Sequence, residues 1–363
     1  MKILILEPYF TGSHKQWALG YKKYSKHEVQ ILSMEGQFWK WRMHGGAVTL
    51  AKQFKNKNYK PDLILSTDML DLSTFLALTK TKARSAIYFH ENQLSYPWSP
   101  NDRDLLKKRD HHYSFINYVS ALSADHVLFN SRFHMEIFLK ELHSFLNHFP
   151  DHNEIDTIKI IEKKSEVLSL AIELKKFDSY KYTKHNKPLI LWNHRWEYDK
   201  NPELFFKSLK YLKDRGYNFD LAVLGENFSN APEIFKNAKD VFKDNILHWG
   251  YAKNFDSYAK WLWKANILPV TSNQDFFGVS VMEAIYCETY PLLPKRLSFP
   301  ELIPREFHCD HFYQNDNDLN EKLINLIQNY NIRDSKALKK VALKFDWNYL
   351  APVYDAKMNS LLK

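Results

Sequence analysis

The chain has 363 residues, which leaves room for two domains of roughly 150 residues each or one large one. Its 45% hydrophobic and 15% aromatic content excludes a disordered, collagen-like or acidic-tail protein. Lys and Arg (51) outnumber Asp and Glu (42), giving a net charge of +9 that favours a polyanionic partner: nucleic acid, a nucleotide or an anionic membrane surface. Two cysteines, Cys287 and Cys309, are too few for a disulfide framework and suit a reducing compartment. The opening apolar run, 3–6, stops at Glu7 and Pro8, short of a signal-peptide core, and no run approaches the ~18 apolar residues that span a bilayer. A cytoplasmic protein with no stable membrane insertion is expected.

Run 3–6 reads as a buried strand broken at Pro8 and Gly12, followed by a helix that Ser13 caps. Runs 29–32, 63–66, 85–89 and 126–129 read as further short strands, separated by helical stretches such as 44–54 and 113–124. After a mixed, charged stretch over 142–187 the alternation restarts: strand 188–192, helix 202–215, strand 219–224, helix 231–242, strand 246–249, helix 256–264 and strand 267–270. Such alternation implies parallel sheets, so the fold class is α/β with two units in tandem. The expected division is 1–174, a polar linker 175–187 that stops at Pro188, 188–344, and a tail 345–363. Gly12, Gly225, Gly250 and Gly278 neighbour strand ends, where open α/β sheets bind ligands.

The strongest local signal runs from Asp275 through Phe276, Phe277, Gly278 and Val279 to Glu283, just past the strand ending at Val270. It sets one carboxylate in a loop and another in the first turns of a helix, whose N-terminus suits phosphate while the acids accept from ribose or sugar hydroxyls. As a capping acid and a surface turn residue, the same two acids would need no ligand. Arg195 and Lys200 flank another strand-to-helix turn and form a cation pair able to clamp a diphosphate, with surface salt bridges to Glu197 or Asp199 as the plain alternative. Gly12, Ser13, His14 and Lys15 follow the first strand, and His90, Glu91, Asn92 and Gln93 follow the strand 85–89, both at places where an α/β crevice collects polar groups.

No metal is expected. His143, His148 and His152 are spread over 142–152 with Pro150 between the last two, His308 beside Cys309 reads as incidental, and the D-x-D runs at 102–104 and 316–318 lack a preceding buried strand. No G-x-S-x-G, Walker A or H-E-x-x-H motif occurs. Basic clusters at 52–60, 80–84 and 103–112, interleaved with Trp39, Trp41, Arg42, Tyr96 and Trp98, fit phosphate tracking with base stacking. RNA is favoured over membrane, because Leu105 and Leu106 supply too little apolar surface for a membrane-facing helix.

Taken together these residues resemble the GT-B glycosyltransferases, and more narrowly glycosyltransferase family 4, with Arg195 and Lys200 as its phosphate pair and 275–283 as its E-x7-E motif. The tail from Phe345 through Trp347 to Tyr349 resembles the terminal helix that crosses back onto the first domain in such folds. Closer still, Gly12-Ser13-His14-Lys15-Gln16, FWKWR at 38–42, 90–97 (HENQLSYP), Phe129-Asn130-Ser131, His194-Arg195-Trp196-Glu197, Leu224-Gly225-Glu226, His248-Trp249-Gly250-Tyr251 and Phe276-Phe277-Gly278 resemble the tRNA-queuosine α-mannosyltransferase family.

That resemblance implies two Rossmann-like domains across a deep cleft, the first binding tRNA and the second a nucleotide sugar. The implied reaction moves mannose from GDP-mannose, with retention, to the cyclopentenediol of queuosine in a tRNA anticodon, tRNA-Asp being the candidate, with no cofactor and no metal. It implies His90, Arg195, Lys200 and Asp275 as catalytic residues. Donor contacts fall to Gly12, Ser13, Arg195, Lys200, Gly225, Tyr251, Phe276, Phe277, Gly278, Val279 and Glu283, and acceptor contacts to His14, Lys15, Trp39, Trp41, Arg42, Glu91, Asn92, Gln93 and Tyr96. The chain departs from family 4 at Asp275, where Glu is usual, and at Glu288 and Ala171, where Gly is common. A family 4 enzyme with another nucleotide sugar or a lipid or polysaccharide acceptor is the alternative. An RNA-binding protein with a decayed transferase site is disfavoured, because RNA binding needs no diphosphate clamp.

Overall fold

The structure, a computed structural model, describes residues 1–57, 59–99, 102, 104, 112–226, 231–330 and 336–362. Of the basic stretch 103–112 only Asp104 and His112 fall among them; Leu105 and Leu106 lie outside the described residues, as does Asn58 in 52–60. The chain divides into two compact units, Met1–Glu173 with Phe345–Lys363, and Leu174–Lys344. Among the described residues no helix is long and apolar enough to cross a membrane.

The first unit is a six-stranded parallel sheet built from β1 (Lys2–Phe10), β2 (Glu28–Glu35), β3 (Leu63–Thr67), β4 (Arg84–Phe89), β5 (His126–Phe129) and β6 (Ser165–Val167), in the order β2-β1-β3-β4-β5-β6. Its central strands are apolar runs because helices cover both faces; every residue of β3 is buried. β1 does not end at Pro8 but continues to Phe10, its register with β2 shifting between Glu7 and Phe10, which accommodates a residue that cannot donate to the ladder. The following helix, Gly12–Tyr24, has Thr11 at its N-cap, so Ser13 lies inside the first turn rather than capping it. β6, hidden in the charged stretch 142–187, is a three-residue edge strand, too short for a periodicity to show.

The terminal helix Trp347–Ser360 packs in this unit against Gly12–Tyr24. Trp17 Nε1 donates to Tyr354 Oη at 3.2 Å, Tyr21 Oη donates to Asp355 Oδ1 at 3.1 Å, and Trp347 stacks on Tyr21. A Cβ on Gly20 would stand 2.0 Å from Trp347 Nε1, so the indole seats only where the helix has a glycine.

The second unit repeats the design with β7 (Leu189–Trp192), β8 (Asp220–Val223), β9 (Ile246–Trp249), β10 (Ile267–Pro269), β11 (Tyr290–Pro294) and β12 (Phe312–Tyr313), parallel in the order β12-β11-β10-β7-β8-β9. Trp192, Trp196, Phe205, Phe206 and Phe235 form its aromatic core. Residues 175–187 are packed into this unit. Lys175–Tyr180 is a 3-10 turn with Phe177 buried, its carbonyl accepting from Trp263 Nε1 at 3.0 Å. Lys184 Nζ donates to the carbonyls of Ala265 and Cys287, and burial brings its pKa down to about 7.

Strand order reverses between β1 and β3 in the first unit and between β7 and β10 in the second. Open α/β sheets bind ligands outside the carboxyl ends of their strands at such switch points. Both hold the polar residues singled out above.

Candidate active site

At the first switch point, Glu7 sits fully buried near the end of β1. Its Oε1 accepts the Tyr9 N–H at 2.9 Å, and its Oε2 lies 2.9 Å from His14 Nδ1. His90 follows β4, its ring 4.3 Å from that of His14 and 4.8 Å from that of Trp17. The loop bearing it is fixed from both sides: its N–H donates to Asp68 Oδ1 at 2.7 Å and its carbonyl accepts from Asn130 Nδ2 at 2.9 Å. His90 Nε2 is buried with no hydrogen-bond partner among the described residues.

The charges sort themselves by neighbour. Burial lowers the pKa of His14, but the Glu7 carboxylate more than offsets this and lifts it to about 9. Burial, with the neighbouring His14 charge, pushes His90 well below the ordinary imidazole value, and burial raises the Asp68 carboxyl to about 8. The site therefore holds one imidazolium against one carboxylate, with a neutral imidazole beside them. Glu7, His14 and His90 offer ligand atoms within 4.8 Å of one another, a donor set that the sequence motifs did not suggest. As the side chains stand, the Glu7 carboxylate is engaged by the His14 ring.

Around this centre Gly12, Ser13 and Lys15 are exposed and Glu91 is half-buried, holding Gln93 Nε2 at 3.1 Å. Asn92, fully buried, accepts at Oδ1 the backbone N–H groups of Leu94 and Ser95, which shapes the turn, while its Nδ2 is buried with no hydrogen-bond partner among the described residues. Trp39 likewise packs, with Met43, Tyr113 and Ile116. Lys40 lies over the rings of Trp39, Trp98 and Tyr113 and pairs with Asp102 at 2.6 Å and Asp104 at 2.5 Å, which gives that D-x-D run a structural role. Outside lie Trp41, 63% exposed, and Phe38, 75% exposed, with Arg42 Nε on the Glu35 carbonyl at 3.0 Å; Tyr96 is half-buried. Lys52, Lys55, Lys57, Lys60, Lys80, Lys82 and Arg84 are exposed on the same unit.

At the second switch point Lys200 is buried. Its Nζ donates to the Gln274 carbonyl at 2.7 Å and stands 3.1 Å from Asp199 Oδ2 and 3.2 Å from Asp275 Oδ1. Burial disfavours the ammonium, yet Asp275 and Asp199 raise its pKa overall, so it stays a cation. The Arg195 side chain is 46% exposed, its Nη2 3.2 Å from Glu197 Oε2. The two cations thus differ in kind, one locked and one at the surface.

Asp275 Oδ2 and His194 Nε2 are both buried without a hydrogen-bond partner among the described residues. Burial takes His194 down to about 4, and its Nδ1 lies 3.0 Å from Ser280 Oγ. Gly225 (φ +118) backs onto this loop so closely that a Cβ would sit 1.9 Å from the His194 carbonyl oxygen. The helix Val279–Tyr286 opens at Gly278 with Val279 half-buried, and Phe276 and Phe277 are buried beneath it. Glu283, in its second turn, is buried with its pKa raised by burial and accepts from Tyr258 Oη at 2.7 Å. Tyr251 stands 65% exposed beyond β9.

Glu7, Asp68 and Tyr258 did not emerge from the motifs, whereas Asp199 and Glu197 entered as salt-bridge partners of the cation pair and pair with Lys200 and Arg195 respectively. An acid closing an apolar strand run, as at Glu7 and Asp68, was the readable signal for two of them; Tyr258 had none, because its partner is 25 residues away on another helix.

Residues 2–172 match the family described as tRNA-queuosine alpha-mannosyltransferase N-terminal, and residues 175–344 match glycosyl transferases group 1. A tRNA-queuosine alpha-mannosyltransferase of Drosophila melanogaster is 32% identical over 335 residues, 89% of this chain and 86% of the fly protein. Among solved structures, a sucrose-phosphate synthase from Thermosynechococcus elongatus superposes with a TM-score of 0.72 at 13% identity, covering 99% of each chain. A glycosyltransferase from Rickettsia africae ESF-5 gives a TM-score of 0.68 at 17% identity, over 100% of this chain and 98% of that one. At such identities these two establish the fold, GT-B, and no more. The fly relative, similar across nearly the whole length, establishes the family: the chain belongs to the tRNA-queuosine alpha-mannosyltransferases.

Proposed function

We propose that the protein transfers mannose from GDP-mannose to a hydroxyl of the queuosine cyclopentenediol in a tRNA anticodon, with retention at the anomeric carbon and tRNA-Asp as acceptor. The observation that carries the reading is Lys200, a buried cation between two carboxylates at the second switch point. As the bond from the anomeric carbon to the phosphate oxygen breaks, negative charge grows on GDP, and Lys200 with Arg195 stabilises it. These two take the part a divalent ion would otherwise play, so no metal is needed. Asp275 holds sugar hydroxyls, Glu283 the ribose diol, and His90 the sugar. The acceptor oxygen bonds to the anomeric carbon on the face the phosphate leaves, and its proton goes to the departing phosphate oxygen. The tRNA lies on exposed Trp41 and the lysines of the first unit, and the reaction takes place in the cytoplasm.

The test is to incubate the protein with queuosine-containing and queuosine-free tRNA and a panel of nucleotide sugars, then weigh the released nucleosides. Queuosine should gain one hexose, from GDP-mannose only. A hexose from a UDP-sugar alone overturns the donor; none from any donor overturns the reaction.

A further inference from the structure

We propose that Glu7 is a positioning residue: it grips the His14 ring by Nδ1 so that the ring offers its Nε2–H to an anionic phosphate oxygen, on the nucleotide sugar or on the tRNA backbone. This rests on the transferase reading above and adds a role for a residue outside its motifs.

The geometry carries the assignment. Both oxygens of the fully buried Glu7 carboxylate are engaged, one by the Tyr9 N–H and the other by His14 Nδ1, which fixes the carboxylate and through it the imidazole. His14 is the third residue of the helix Gly12–Tyr24, whose N-terminal N–H groups add positive partial charge on the same side. The groups facing His14 come from three strand ends: Glu7 from β1, Asp68 beyond β3, and His90 and Glu91 beyond β4. His90, whose ring lies 4.3 Å from that of His14, carries a second polar atom, Nε2, that is buried without a hydrogen-bond partner among the described residues. Burial would make the ring neutral, yet Glu7 holds its pKa at about 9, so at neutral pH Nε2 is a donor and suits an anion rather than a proton to be abstracted.

The experiment uses the full chain and the isosteric variant Glu7→Gln, with His14→Gln for assignment. Imidazole NMR titration should find His14 near pH 9 in the parent and at least one pH unit lower in Glu7→Gln. Its resonance should move when GDP or an anticodon stem-loop is added, and the ligand that moves it identifies the source of the phosphate. In turnover, both variants should lose about 10- to 100-fold in kcat/KM. The loss should lie in the KM of the nucleotide sugar if the donor phosphate is contacted, and in that of tRNA if the backbone is. An unshifted His14 titration in Glu7→Gln overturns the proposal. So does a His14 resonance that neither ligand moves, or a stoichiometric metal ion held by Glu7, His14 and His90. If no sugar is transferred but His14 titrates high and responds to a ligand, this proposal stands and the mannosyl reading falls. Should Glu7→Gln fail to fold, the pH profile decides: parent activity should decline above pH 9, His14→Gln should lack that limb, and an identical limb in both overturns the assignment.

Discussion

Lys200 Nζ lies 3.2 Å from Asp275 Oδ1, so the cation assigned to the departing phosphate is held, before any ligand arrives, by the carboxylate assigned to the sugar. Asp199 Oδ2 stands at 3.1 Å on the same ammonium, which fixes its position from two directions. Lys200→Met keeps the buried stem and removes the charge. Transfer should fall by about 10²- to 10³-fold, because the lost interaction grows as the bond breaks. Leaving the buried Asp199 and the partly buried Asp275 without their cation should cost on the order of 3–5 kcal/mol of stability. Steady-state kinetics, urea unfolding and tRNA binding measured together separate the effects; tRNA affinity that collapses in parallel with turnover would reduce Lys200 to a structural residue.

Asp275 is one methylene shorter than the Glu usual in the wider family, and its Oδ2 is buried with no hydrogen-bond partner among the described residues. Asp275→Asn preserves the shape and should lower kcat/KM by about 10²-fold. Asp275→Glu should keep turnover while shifting preference among hexose donors, since a longer acid reaches different hydroxyls. A donor panel run on both variants checks this, and an unaltered ranking in Asp275→Glu would remove the side chain from donor choice.

Much of this was legible beforehand, and the exceptions have physical causes. The fully buried strands and the Gly-containing turns after them carry their signal locally, which is why β3 and β9 appear within a residue of their expected limits. Phe177 illustrates the opposite case: one buried aromatic among lysines and tyrosines anchors a stretch whose composition reads as a linker. Glu288 is subtler. It stands where the wider family commonly has Gly, and its backbone keeps the left-handed φ of +62 that favours Gly, with Lys339 at 3.0 Å from its carboxylate. Polarity at Asn92 and aromaticity at Trp39 do not by themselves separate ligand contact from the turn and the packing in which these side chains also take part.

Stability should depend on pH in opposite senses at His194 and at His14. His194 has a pKa of about 4 folded against 6.5 ordinarily, so between those values the unfolded chain takes up a proton the folded one refuses. Its contribution is lost as pH falls through that window, up to about 3 kcal/mol. His90 and His134, both shifted well down by burial, act with the same sign. His14, raised to about 9, contributes fully below pH 6.5 and loses its contribution as pH climbs through 9. Asp68, raised to about 8, and Lys184, lowered to about 7, act with the opposite signs in these windows, so single variants isolate each contribution. His194→Gln should flatten the acid side, and a steep acid limb persisting in that variant would remove His194 as its source.

The exposed aromatics Phe38 and Trp41, with Arg42, at the start of the helix Trp39–Asn56, and the exposed lysines at 52, 55 and 57 toward and just past its other end, give the first unit groups suited to unstacked bases and phosphates. Trp41→Ala should weaken binding of an anticodon stem-loop by about 1–3 kcal/mol, with a salt dependence like that of the parent. Reversing the three lysines should instead lower affinity and flatten the slope of log affinity against log salt. Fluorescence anisotropy across a salt series distinguishes stacking from charge. A Trp41→Ala variant with parental affinity would place the RNA elsewhere.

Tyr258 Oη donates to Glu283 Oε2 at 2.7 Å, and this bond orients the buried carboxylate to which the proposed function gives the ribose. Burial raises the pKa of Glu283, while Lys176 and the tyrosine hydroxyl pull it down and help keep it ionised. Tyr258→Phe removes one donor and leaves the ring, so the carboxyl should titrate higher still and turn freely about its last bond. The outcome should be a KM for the nucleotide sugar raised about 10-fold, the range of one hydrogen bond to a charged group, with the KM for tRNA unmoved. The acid limb of the activity profile should move to higher pH, because Glu283 now protonates earlier. Nucleotides with and without the ribose diol supply the control: the variant should discriminate between them less than the parent does, and equal discrimination by both would mean that Glu283 binds something other than ribose.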